Sequence, residues 1–216
     1  MRLLDLFCGG GGCSVGYRRA GFTEIVGVDN RPMPRYPFEF VECDSLRYLA
    51  AHGSEFDAIH ASPPCQAYSQ TKTIWNRSYP DLVPETRELL QKIGRPWVIE
   101  NVQGAPMGAM FNAITLCGTM FDLRVKRHRL FESSEMLMSP GRTCAHPPPG
   151  SFVQVGCKAN EGDWMIVAGH FSSLPAARKA MGIDWMSRNE LAQAIPPAYT
   201  EFIGRQLMAI LENRRD

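Results

Sequence analysis

The sequence predicts an α/β protein built on a doubly wound, mostly parallel sheet with a small irregular insertion. Three observations point there. From Leu3 to Val102, short apolar runs alternate with helix-patterned segments, as in a sheet covered by helices on both faces. A glycine run, Gly9 to Gly12, directly follows the first apolar run. The alternation then stops after Glu132, and helical patterning returns only near Ala176.

Leu3 to Phe7 reads as a buried strand broken by the glycines, and a short helix through Val15, Tyr17 and Arg18 stops at Gly21. EIVGVD forms a second strand ending in Asp29, and EFVEC a third ending at Cys43 and Asp44. Ser45 is the expected cap of a helix carrying Leu46, Leu49 and Ala50 on one face. Asp57 to Ser62 is a short strand stopped by Pro63-Pro64. A helix from about Asp81 has Pro84 in its first turn, Leu89, Leu90 and Ile93 as its apolar face, and Gly94 after it. Pro96 to Val102 is another strand. The mixed polar text of 133–175 offers only short strand candidates, FVQVG and WMIVAG. After Pro196-Pro197 a final helix would bury Tyr199, Phe202, Ile203, Leu207 and Ile210. The expected organisation is one domain from residues 1–132 and 176–216, interrupted by the insertion 133–175.

The composition, with 44% hydrophobic and 21% charged residues in 216, is that of a globular chain. No apolar run approaches the roughly 20 residues that cross a bilayer. The stretch before the glycines is too short for a secretory signal. The seven cysteines form no CxxC pair, and with no export signal reduced thiols and a cytoplasmic location are expected. A net charge of +1 neither demands nor excludes nucleic acid, since the placement of the positive charge decides. Nothing calls for an obligate protein partner.

Four groups of residues carry chemistry. Glycines after the first strand allow close backbone approach to a ligand, and Asp29, closing the second strand, suits ribose hydroxyls. GxGxxG fails, because the sixth place is Ser14 or Val15. A nucleoside cofactor without a pyrophosphate therefore fits better than a dinucleotide, and a tight turn with no ligand is the alternative. In Ala61 to Ser69, Cys65 stands just past a strand, at the sheet edge where ligands bind in such folds, and two prolines present its thiol. In IENV, Glu100 sits near the end of an apolar strand, so it needs either a salt bridge or a raised pKa and a protonated, donating role. In RVKRHRLF, Arg127 and Arg129 point the same way on a strand, with His128 opposite.

DLFCGGGG, SVGYRRAG, PPCQAYS, ENV, RHR and AIPPAYTEFIG, in that order, resemble the DNA (cytosine-5) methyltransferase family over about 1–132 and 177–205. The resemblance implies a class I methyltransferase (Rossmann-like) fold, S-adenosylmethionine as cofactor and double-stranded DNA as partner. It implies that Phe7, Gly9, Gly10, Gly11 and Gly12 line the cofactor, that Asp29 holds its ribose and that Asp44 reads its adenine. Cys65 matches the nucleophile, Glu100 the acid at cytosine N3, and Arg127 and Arg129 the basic pair near base and phosphate. Pro63 would offer its carbonyl to the cytosine amino group and Ser69 would contact phosphate. The loop from Gln66 to Arg77, with Lys72 and Trp75, is a candidate lid over a flipped base. The same resemblance admits a tRNA cytosine-5 methyltransferase or a non-catalytic DNA-binding relative.

The sequence departs from the family pattern at Val125, where Gln is usual, and at Ala192-Gln193, where Gly-Asn is usual. The insertion is also short where relatives carry a larger target-recognition domain. It holds few basic residues, so it can read a site of only about two to four base pairs. The insertion holds Cys144, His146, Cys157 and His170, two Cys and two His that could coordinate zinc, but their spacing matches no standard zinc finger. Ordinary polar packing, with no metal, is expected of them.

Overall fold

The computed structural model describes residues 1–68, 79–108, 112–148, 150–153, 157–160 and 162–214. Its strands are β1 (Arg2–Leu6), β2 (Glu24–Asp29), β3 (Glu39–Glu42), β4 (Ala58–Ala61), β5 (Trp97–Asn101), β6 (Asn112–Leu116) and β7 (Arg129–Ser133). Its helices are α1 (Gly12–Ala20), α2 (Ser45–His52), α3 (Val83–Ile93), α4 (Leu174–Met181), α5 (Arg188–Gln193) and α6 (Pro197–Asn213). The strands form one sheet in the order β3-β2-β1-β4-β5-β7-β6. β1 to β5 pair in parallel, and β7 runs antiparallel to both neighbours, β5 and β6.

Strand alternation divides the core between two faces. Leu3, Ile25, Ala58 and Val98 pack on one side with Tyr17 of α1 and Tyr199, Ile203 and Leu207 of α6. Leu4, Val26, Ile59 and Ile99 pack on the other with Leu49 of α2 and Leu90 of α3. Strands buried on both faces have no polar side to show, which is why they read as continuous apolar runs. α1 and α6 come close enough that a side chain at Gly16 would run into Thr200 and the Pro197 carbonyl, and one at Gly204 into Ala20. The Thr200 hydroxyl donates to the Cys13 carbonyl across this contact (2.8 Å).

Several sequence expectations shift. Asp44, not Ser45, caps α2 by accepting the Arg47 N–H (2.8 Å), while Ser45 is buried as the first helical residue. The buried stripe of α6 runs Tyr199, Ile203, Leu207, Leu211, at four-residue steps, and leaves Phe202 and Ile210 only partly covered. FVQVG and WMIVAG give no strand among the described residues, only the isolated bridges Phe152–Trp164 and Val125–Met165. Met165, Val167 and Phe171 pack with Val125 and with Ala176, Ala177, Met181 and Leu191 of α4 and α5. No helix among the described residues is long and apolar enough to cross a membrane.

One buried ion pair ties three elements together. Glu132 on β7 is 1% exposed, and Arg87 of α3 grips its two carboxylate oxygens at 2.6 and 3.1 Å. The Gly108 N–H adds a third contact (2.7 Å), and Arg87 also donates to the Pro106 carbonyl (3.0 Å). Removing one partner of such a pair strands a charge in a dry interior. Arg87→Met is expected to lose about 3–5 kcal/mol in urea denaturation, and adding Glu132→Met to recover most of it. A single-variant loss below about 1 kcal/mol would show that the pair does not hold this corner.

Asp5, in the middle of β1, is fully buried; it accepts the Ser14 hydroxyl on one oxygen and has no partner on the other. Burial pushes its pKa up to about 7. The folded chain thus keeps a proton that the unfolded chain releases near pH 4, so Asp5 costs stability as pH rises from about 4 to about 7. His60, buried and held near 3 by desolvation, acts with the opposite sign below its usual range. Comparing Asp5→Asn with wild type isolates the aspartate. The variant is expected to gain about 2–4 kcal/mol relative to wild type between pH 4 and pH 7.5, measured by denaturation at each pH. A pH-independent difference would refute the assignment.

Candidate active site

The parallel strands all leave the sheet at the same edge, and their register fixes what meets there. Leu6 pairs with Val28 on one side and Ala61 on the other, and Ala61 pairs with Ile99. Phe7, Asp29, Ser62 and Glu100 each stand one step beyond those pairs, at one level of the sheet edge. The chain steps outward from β1 to β2 and β3 on one side and then crosses back to β4 on the other, and such a switch point beside β1 is where open α/β sheets form their ligand crevice. Because β7 is antiparallel, with Leu130 opposite Asn101, its beginning rather than its end reaches the same edge. Arg129 arrives there.

Cys65 opens a single helical turn after Pro64 and is partly exposed. Pro63 is buried, and its carbonyl accepts the Asn101 side-chain amide (2.8 Å). A carbonyl has two lone pairs, so one remains for a further donor. Glu100 is 6% exposed and pairs with Arg129 (Nε to Oε1, 3.1 Å). Burial raises its pKa; Arg129, a Ser62 hydrogen bond and Arg127 each oppose that rise without cancelling it. Both sequence alternatives for Glu100 therefore hold together: it has an ion-pair partner, and it binds its proton more tightly than an exposed glutamate. Burial also pushes the Cys65 thiol up, and Glu100 adds to this, while Arg129 and Arg127 pull it down. A proton on Glu100 removes the negative charge that opposes the thiolate, leaving burial alone against it.

Arg127 and Arg129 are differently employed. Arg127 is buried and donates to the carbonyls of Val167 and Ala192, the latter at 3.1 Å, while its Nε has no partner. Burial and neighbouring Arg129 pull its pKa down to about 9, which leaves it charged at neutral pH. Its own carbonyl takes the Tyr199 hydroxyl (2.6 Å).

On the other side of β1, Asp29 accepts the Gly9 N–H (3.1 Å) and the Arg31 N–H (3.2 Å), one on each oxygen. Phe7 holds a left-handed backbone (φ 55°), costly for a bulky residue and of the kind found at ligand sites. Of the four glycines, Gly9 alone would aim a side chain into open space. At Gly10, Gly11 and Gly12 a Cβ would meet Met186, Tyr36 with Pro37, and the Ile195 carbonyl respectively. Three of the glycines thus let Tyr36 and the C-terminal segments close on the loop, and Gly9 leaves room for a ligand above an acidic end of β2. That cradle fits a nucleoside without a pyrophosphate. Asp44 is exposed nearby in sequence and caps α2 with one oxygen.

Ser69, Lys72, Trp75 and Arg77, including most of the candidate lid, lie outside the described residues. Other neighbours were not legible in the sequence. His60 hydrogen-bonds the Tyr17 hydroxyl (2.9 Å) and the Ser62 hydroxyl (3.0 Å), linking α1 to the group that holds Glu100. The Trp185 indole donates to the Gly10 carbonyl (2.8 Å). Cys144 and His146 meet, but their companions are Cys117 and His128 rather than Cys157 and His170, both of which are exposed. Strand alternation hints at the buried position of His60 and helical spacing at that of Tyr17; nothing in the spacing hints at Trp185.

Residues 1–107 match the family model for C-5 cytosine-specific DNA methylase. The Type II methyltransferase M.XorII of Xanthomonas oryzae pv. oryzae is 31% identical over 122 residues, covering 49% of this chain and 29% of the relative. M.HgiGI of Herpetosiphon aurantiacus is 31% identical over 119 residues, covering 49% of this chain and 93% of the relative. The match spans well under half the length of M.XorII and of a further Herpetosiphon relative, M.HgiDI, at 29% and 38%. Among solved structures, the S. pombe Dnmt2 methyltransferase superposes with a TM-score of 0.63 over 98% of this chain and 99% of that one, at 13% identity, and so shares the class I methyltransferase fold. Together with the edge geometry of Cys65 and Glu100, these matches place the chain in the C-5 cytosine-specific DNA methylase family.

Proposed function

We propose that this protein methylates C5 of cytosine in double-stranded DNA, with S-adenosylmethionine as the donor. The convergence of Cys65, Glu100 and Arg129 on one sheet edge, beside the cradle of Gly9 and Asp29, carries the reading. A target base buried in a duplex has to be turned out of the stack to reach that edge. When bound, S-adenosylmethionine supplies an electrophilic methyl group; Phe7, the glycine loop and Asp29 would hold it, with Asp44 near its adenine.

The chain's own residues then make cytosine reactive. The thiolate of Cys65 adds to C6, and the electron pair of the C5–C6 double bond shifts toward N3 as Glu100 delivers its proton there. The ring becomes an enamine with nucleophilic C5. After C5 is substituted, water takes the C5 proton, the re-formed C5–C6 double bond expels the Cys65 sulfur as thiolate, and N3 returns its proton to Glu100. Arg129 holds Glu100 in place without taking over its proton, and the Pro63 carbonyl, itself fixed by Asn101, orients the exocyclic amine. Residues 133–175 serve as a short target-recognition insertion on the catalytic domain formed by 1–132 and 176–216, and Ser69 contacts phosphate. The protein works in the cytoplasm, alongside its DNA.

DNA containing 5-fluorocytosine has no C5 proton to lose, so wild-type protein with cofactor is expected to form a complex that survives a denaturing gel, and Cys65→Ala to form none. An adduct persisting in Cys65→Ala would remove the nucleophile assignment, and transfer to tRNA in preference to duplex DNA would redirect the substrate.

Glu100→Gln keeps a hydrogen-bond donor but cannot transfer a proton. Its turnover is expected to fall about 100- to 10,000-fold while cofactor affinity stays near wild type. Near-normal turnover would take Glu100 out of the mechanism.

A further inference from the structure

The antiparallel pair β6–β7 ends beside a cluster that the proposed chemistry does not use. Leu116 pairs with Arg129, so one step further along, Cys117 stands opposite His128. Opposed residues of an antiparallel pair share a face, and strand alternation turns His128 away from the side of Arg127 and Arg129. Cys144 and His146 arrive at the same spot from the segment after β7. The Cys144 sulfur lies 2.9 Å from His146 Nε2 and 3.3 Å from His128 Nε2, and the Cys117 sulfur 3.2 Å from His146 Nε2. All four ligand atoms fall within 4.8 Å of one another. The two imidazoles stand nearly perpendicular, at 87°.

We propose that Cys117, His128, Cys144 and His146 form a tetrahedral site for a structural zinc ion. Metal–sulfur bonds of about 2.3 Å and metal–nitrogen bonds of about 2.0–2.1 Å put neighbouring ligand atoms roughly 3.3–3.8 Å apart, so the three contacts of 2.9–3.3 Å need to open by only a few tenths of an ångström to admit the ion. Pairwise hydrogen bonding does not call for this arrangement, in which each imidazole presents the same nitrogen and both sulfurs converge on one of them. Two thiolates and two neutral imidazoles balance the charge of a divalent ion, and a tetrahedral set of two sulfurs and two nitrogens selects zinc among common metals. The Thr119 hydroxyl donates to the Cys144 sulfur (3.3 Å) and receives the Ala145 N–H (3.3 Å), the kind of outer contact that steadies a ligating thiolate. Four protein ligands leave no open position, so the ion holds structure rather than reacts. It pins residues 144–146 to the strand ends that carry Arg127 and Arg129. The inference is independent of the reaction proposed above.

The test is metal analysis of the full chain, expressed with zinc and purified under reducing conditions without chelator. About one zinc per chain is expected by plasma mass spectrometry. Cys144→Ser and His146→Ala should each lose at least nine-tenths of it, whereas Cys157→Ser and His170→Ala, outside the cluster, should keep it. Cobalt exchanged into the wild type is expected to give intense visible bands of a tetrahedral ion with thiolate charge transfer, a readout that stands even if the ligand variants fail to fold. Substoichiometric zinc with no tetrahedral cobalt spectrum would overturn the site. So would full zinc retention in Cys144→Ser, or a Cys117–Cys144 disulfide in the freshly purified chain.

Discussion

A carboxyl group taken out of water has to be met by a proton or a cation, and Glu100 is placed where both are at hand. Much of the candidate site follows from that requirement. Arg129 reaches Glu100 only because β7 runs against its neighbours, bringing the start of the strand to the edge where the parallel strands end. Ser62 reaches it because β4 and β5 are in step, with Ala61 beside Ile99. Cys65 feels its charge, so the proposed acid and the proposed nucleophile are electrostatically linked before any substrate arrives. The arginines that oppose the rise in one pKa oppose the rise in the other.

The second arginine turns the same electrostatics to a structural end. Arg127 spends its hydrogen bonds on the carbonyls of Val167 and Ala192, one in the segment after β7 and one at the end of α5, while Tyr199 of α6 secures its backbone. A buried guanidinium thus joins three stretches of chain that are far apart in sequence. It lies near enough to Glu100 and Cys65 to shape their charge states without contacting either through the bonds described. Substitution at Arg127 would therefore disturb both electrostatics and packing, and the two effects separate only when stability and rate are measured together.

The parts of the fold legible in the sequence are those set by local patterning. The doubly buried strands show as uninterrupted apolar runs, and Gly21 and Gly94 mark helix ends through left-handed backbone that other residues avoid. Cys65 and Glu100 were legible because each directly follows or closes such a strand. What escaped is set by contact between distant segments. β6 is a short edge strand, with Asn112 exposed and Ala113 and Thr115 half-buried, too weakly patterned to stand out. The grouping of Cys117 and His128 with Cys144 and His146 depends on an antiparallel register, so Cys157 and His170, which share the insertion with Cys144 and His146, are not their companions. Asp and Ser are both good caps and stand side by side here, so local patterning does not separate Asp44 from Ser45; the contact with the Arg47 N–H does.

The apolar residues of the segment after β7 have consequences for how this protein can change. Met165, Val167 and Phe171 have no centre of their own; they complete a cluster whose other members are Val125 and the inner faces of α4 and α5. A recognition module with its own core can be exchanged between enzymes as a cassette. Here a transplanted segment would have to match the surface left behind at Val125, Ala176, Ala177, Met181 and Leu191 and return a carbonyl to Arg127. On the proposed reading of this segment as the target-recognition insertion, new specificity would come from point changes on its exposed loops, with the inward-facing residues left as they are.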